Sequence, residues 1–177
     1  MMEKLKIKTV THVYKFVDPD GSIAKLARGG LGIDAIINAF KDRFVEHREI
    51  HGNVFLNEGI EYIWKAVTGE SGLTPFDGNN AHLGVGDGTD PEDPNQTGLT
   101  GSNKYYKLVD SGYPQISGTK VIFRATFGPD EANFTWNEWT VANGPGDDYV
   151  NLNRKQENLG TKTQGSTWIL TVELSIS

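Results

Sequence analysis

Two carboxylates, Glu131 and Glu138, flank Trp136, and a carboxylate pair in a cleft is what glycoside hydrolysis requires. In a regular strand Glu138 would share a face with Phe134 and Trp136, and apolar neighbours raise a carboxyl's proton affinity. A glutamate near a strand end is equally served by solvent, a backbone amide or an arginine such as Arg154. No partnered base or nucleophile stands at a recognisable spacing, so the expectation is a protein without enzymatic activity and without catalytic residues.

The four histidines are His12, His47, His51 and His82, and none lies in a G-x-S-x-G setting. His47 and His51 have the i, i+4 spacing of a zinc pair on a helix. The H-E-x-x-H order is absent, however, and Gly52 follows at once, so solvent-facing imidazoles and no metal are expected. The run Gly84-Val85-Gly86-Asp87-Gly88-Thr89 looks like a phosphate loop, yet it lacks both the P-loop lysine and the G-x-G-x-x-G spacing, so no cofactor is expected. Asp87, Asp90, Glu92 and Asp93 could offer oxygens to calcium. Their spacing is not that of an EF-hand, and Pro91 and Pro94 interrupt the run. The segment Asp87–Asn103 is therefore expected to be a surface loop without a structural metal.

Aromatic side chains are the remaining resource. Trp136 and Trp139 have opposite parity, so in a regular strand only one of them can face a core. With Tyr105, Tyr106, Tyr14 and Phe16 they form the candidate interface residues, since aromatics dominate interface energetics. Stacking against a sugar would use the same exposed rings, and a second layer of the same chain could also cover them.

The elements that must position these groups are mostly strands. Residues Lys4 to Val17 alternate, with a change of register near Thr9 or Val10, and Asp18-Pro19-Asp20-Gly21 is a tight turn. Ser22 to Ala27 fits a short return strand. Ile33, Ile36, Ile37, Phe40 and Phe44 form a helical stripe, although strand is possible from Arg43 to Ile50. Ile60, Ile63, Trp64 and Val67 mark a clearer helix, with Asn57 placed to cap it, Glu58 and Glu61 near its positive end, and Gly69 beyond its stop. After about Gly72 the chain reads as β, with Ala81 to Gly86 a short strand. Val121 to Phe127 and Trp168 to Ile176 are its best alternating runs. The expected fold is mainly β (α+β), a β-sandwich or jelly-roll-like sheet pair with one or two helices from the first half.

Composition bounds the rest. The chain has 177 residues, room for about one domain, and a net charge of −6, which disfavours sequence-independent nucleic-acid binding. Its 21 glycines exceed the usual ~7% and suit a turn-rich β chain. The absence of cysteine excludes disulfides, thiolate catalysis and Cys-ligated metals. The opening Met1-Met2-Glu3-Lys4-Leu5-Lys6 has no apolar stretch of a secretory signal, and nothing approaches the ~18 apolar residues of a membrane span.

Several segments together carry a family likeness: Asn57-Glu58-Gly59-Ile60, Leu83-Gly84-Val85-Gly86-Asp87-Gly88-Thr89, Asp110-Ser111-Gly112-Tyr113-Pro114, Phe123-Arg124-Ala125-Thr126-Phe127, and Glu131-Ala132-Asn133-Phe134-Thr135-Trp136-Asn137-Glu138-Trp139. Asn153-Arg154-Lys155, Gly160-Thr161-Lys162 and the terminal strand extend it. Over about residues 53–177 the chain resembles a group of tailed-bacteriophage virion proteins. The resemblance implies a small structural component, made in the host cytoplasm and built into the virion, and it carries over no catalytic residues. A capsid decoration protein bound to the major capsid protein is the expectation, because no collagen-like or coiled-coil stretch is present. A minor tail, baseplate or tail-fibre component on a tail scaffold is the alternative, and a carbohydrate-binding module a second. A homotrimer would match local three-fold positions on a shell and cover the edge of the last strand. On this reading residues 53–177 form the sandwich core. Residues 1–52 hold a helix and a strand arm, Lys4–Val17, reaching the shell or a neighbour.

Overall fold

A computed structural model describes residues 6–177. The first two residues of the expected opening strand, Lys4 and Leu5, and most of the segment read for a secretory signal lie outside the described residues. In chain order the elements are β1 (Ile7–Val17), α1 (Ser22–Arg28), α2 (Ile33–Ala39), β2 (Phe44–His51), β3 (Val54–Phe55) and α3 (Asn57–Val67). The remainder is β4 (His82–Gly86), β5 (Lys104–Leu108), β6 (Gln115–Ser117), β7 (Lys120–Phe127), β8 (Thr135–Ala142), β9 (Asn153–Thr161) and β10 (Ser166–Ile176). They build two antiparallel five-stranded sheets, ordered β2-β1-β10-β7-β6 and β3-β9-β8-β4-β5. The fold is a mainly β, sandwich-like α+β architecture with three helices.

Alternation builds the inner face. Val13, Phe123, Ala125, Phe127, Leu170, Val172 and Leu174 come from the first sheet. They meet Leu83, Val85, Trp136, Trp139, Val141 and Leu159 of the second in one apolar core. The outer face of the first sheet is apolar too. There Phe16 and Ile169 are sealed by Ile23 and Ala27 of α1 and Ile36 of α2. A sheet apolar on both faces needs a third layer, which the two short helices supply.

Four expectations change here. Ser22–Arg28 is a helix rather than a strand. Gly21 turns the chain at φ 70°, and the Asp18 carboxylate accepts from the backbone N–H groups of Ile23 (3.1 Å) and Ala24 (3.0 Å), which fixes the first helical turn. The stripe from Ile33 is helical only to Ala39. Phe44 opens β2 yet still reaches the same core, its ring 5.4 Å from that of Phe16. The segment expected as an arm is an inner strand: β1 pairs with β10 along all of its 11 residues and with β2 on its other side. A strand bonded on both edges cannot reach out to a shell. The expected cap also differs: no side chain caps α3, and the Asn57 amide bonds Asn95 instead (2.9 Å).

Candidate docking surface

The glycine run is explained by what faces it. A Cβ on Gly84 would lie 2.5 Å from Cε1 of Tyr106, and one on Gly86 or Gly88 would lie 2.4 Å from Oε1 of Glu138. These glycines leave room on the outer face of the second sheet for a tyrosine ring and a carboxylate. Glu138 accepts there from the backbone N–H groups of Gly88 (3.1 Å), Thr100 (3.0 Å) and Gly101 (2.8 Å). Arg154 donates to it from Nε at 2.8 Å, and both side chains are fully buried. The Arg154 guanidinium also bonds the Asp90 carbonyl and the Gln96 side chain. The acid-rich loop is thus folded down onto an internal ion pair. Thr89, Asp90 and Asp93 remain exposed while Gly88, Gly98 and Leu99 are buried.

Glu131 belongs to a different network. It accepts from Lys107 (2.7 Å), from the Gly128 N–H (2.8 Å) and from Arg28. Burial alone would raise its proton affinity, but Lys107, Gly128 and Arg28 hold its carboxyl below the ordinary value. The partners of Glu131 and Glu138 do not overlap, so the two acids weighed as a catalytic pair serve separate structural joints.

Three of the candidate interface aromatics are buried and three are half-buried. Trp136 and Trp139 are both buried, donating to the Ala132 carbonyl (2.9 Å) and to Thr11 Oγ1 (3.1 Å). The parity argument fails because the β8–β9 register shifts between Trp136 and Glu138. That irregularity resets alternation, so Trp136, Trp139 and Val141 enter the core while Glu138 turns outward. Phe16 is fully buried under the helices. Tyr105 packs against the core with its ring 6.1 Å from Phe127. The Tyr106 hydroxyl donates to Asp147 and to Asn151 (3.2 Å), and burial together with Asp147 drives its proton affinity far up. Tyr14 stacks on His47 with centroids 4.3 Å apart. Of the six expected interface residues, Trp136, Trp139 and Phe16 lie in cores, which removes them from any outer surface, and the three tyrosines are half-buried and engaged by neighbours in the same chain.

The histidines separate likewise. His47 and His51 lie on a strand rather than a helix, and His82 bonds the Asn80 carbonyl (2.7 Å), with burial lowering its proton affinity. Among the described residues no group of three or more side chains is arranged to hold a metal, and no helix is long and apolar enough to cross a membrane.

What the structure leaves open to solvent is one end of the sandwich. Helix α3 docks through Gly59, packed on the backbone of Leu152, and through Tyr62, edge-on to Phe76. Its apolar stripe faces the other way: Ile60, Ile63, Trp64 and Val67 are 40, 37, 64 and 71% exposed. Beside it, between the sheets, lies an apolar cleft of about 360 Å³. Phe55, Phe76, Val121 and Leu174 line it, and Ile63 and Ile116 stand at its mouth, Ile116 being 83% exposed. The helical spacing of the stripe was legible in the sequence. Its direction was not, because periodicity locates an apolar face without saying what it meets. The arrangement can bury apolar side chains of a partner.

No protein-family model, curated protein or solved structure matches the chain.

Proposed function

We propose that the protein is a non-enzymatic structural component of a tailed-bacteriophage particle. On this reading it is a capsid decoration protein that trimerises and packs its apolar end against protein. The carrying observation is the solvent-facing stripe Ile60, Ile63, Trp64 and Val67 beside the apolar cleft. Contiguous apolar surface of this kind marks binding sites on soluble proteins, and tryptophan is enriched among the residues that dominate interface energy. The acids and aromatics that could have served catalysis or sugar stacking are engaged inside the fold, which fits a binding role. The resemblance of residues 53–177 to phage virion proteins supplies the particle, and the reading makes no use of an N-terminal arm.

Light scattering on the full chain and on a Trp64→Ser, Val67→Ser double variant tests the association. The expected result is a trimeric mass for the wild type and a monomeric mass for the variant, with unchanged circular dichroism. Antibody labelling of purified particles tests the location, and label on the head is expected. Label confined to the tail would replace decoration by a tail, baseplate or fibre role. A monomer that labels no particle would overturn the reading.

A further inference from the structure

On the outer face of the first sheet, where β1 meets the edge strand β2, two imidazoles touch. His12 Nδ1 lies 3.0 Å from His47 Nε2, a hydrogen bond that needs a proton on one nitrogen and a lone pair on the other. The rings stack with centroids 5.2 Å apart, and Tyr14 continues the stack beyond His47. We propose that the His12–His47 contact is a proton-operated latch that holds β2 against β1 and releases it on acidification.

With both rings neutral, or one charged, the shared hydrogen bond survives. With both charged, two N–H groups face each other across 3.0 Å and the contact turns repulsive. The charged groups around it set the threshold. Glu49, opposite His12 on β2 and 4.0 Å away, draws protons in and is itself bonded by His51 (2.7 Å). Glu173 of β10 acts in the same direction but is neutralised by Lys120 of β7 (2.9 Å). Asp34 of α2 bears on the adjoining Tyr14. Against these, burial lowers the proton affinity of His12, and His47 lowers it further. The latch is therefore closed at neutral pH and yields on acidification.

The location gives the contact its effect. Among the described residues the ladder of β2 runs to β1 alone, so the outer edge of β2 is bonded to no described strand. Beyond that ladder β2 is held by side chains: Ile50 in the core between the sheets, Phe44 against Phe16, Arg48 to the Asn158 carbonyl (2.7 Å), and Glu46 with Lys15 (2.6 Å). Releasing it uncovers the backbone edge of β1, a surface on which another strand can add. The inference stands apart from the phage reading, since it uses neither α3 nor the apolar cleft.

Amide hydrogen exchange on the full chain, compared at about pH 7.5 and about pH 5 as protection factors, tests the latch. At the lower pH, protection in residues 44–51 is expected to fall about tenfold relative to residues 168–174. His12→Gln and His47→Gln keep a hydrogen-bonding side chain but remove the titration, and each is expected to abolish the selective loss. Unchanged relative protection in the wild type would overturn the proposal. So would a loss spread evenly over both strands, or one that persists in both variants.

Discussion

Glu138 shows how far a single side chain can mislead and inform. Its carboxylate sits fully buried against Arg154 and three loop amides, so its removal strands a guanidinium in the interior. Glu138→Ala is expected to lower the unfolding free energy by about 3–5 kcal/mol in urea titration, and Glu138→Met with Arg154→Met is expected to recover only part of that loss, because the loop amides and the Asp90 carbonyl lose their partners in the double variant. Arg154 as a partner for Glu138 was legible in the sequence as one alternative. The three amides were not, because they come from residues 37 to 50 positions away whose approach depends on glycines opposite the acid. The two tryptophans were misread for a related reason: a register shift between Trp136 and Glu138 has no residue signature, and strict alternation was the only guide.

Among the elements, α3 divides into a face that binds the fold and a face that does not. A Cβ at Gly59 would lie 2.4 Å from the Leu152 carbonyl oxygen, a backbone atom that cannot swing aside. Gly59→Ala is therefore expected to destabilise by about 1–3 kcal/mol despite alanine's better helix propensity. Trp64→Ser, on the open face, is expected to leave stability within about 0.5 kcal/mol of wild type. Parallel thermal melts of the two variants separate the roles of the two faces. Element type was readable for the long alternating strands and for α3, where many residues vote for one period. It failed for α1, whose seven residues carry too few apolar positions to distinguish helix from strand. There a buried aspartate outside the helix decides the matter by capping it.

At the scale of the whole molecule, the two sheets were legible and their order was not. Nothing local in β1 announces that its partner is the last strand. Two half-buried imidazoles contribute to the acid response of the fold. Burial pushes both His12 and His82 below their ordinary value of 6.5, so the unfolded chain takes up protons more readily than the folded one. Their contribution to stability is complete above that value and is lost as pH falls through it toward the lowered folded values. Urea midpoints measured across that window are expected to decline with acidification, and His82→Gln is expected to flatten the decline in part.

The pairing of β1 with β10 also has a consequence during biosynthesis. Asp18 and Thr167, which bond at 2.7 Å where the two strands meet, are 149 residues apart in the chain. A ribosome makes β1 early and β10 last among the elements, so one flank of β1 must wait, unsatisfied, while the intervening chain is made. The hairpin with β2 can form in the meantime, but the first sheet cannot close until β10 has emerged. Completion of this fold therefore waits for β10, and the nascent chain carries an adhesive strand edge until that strand is made.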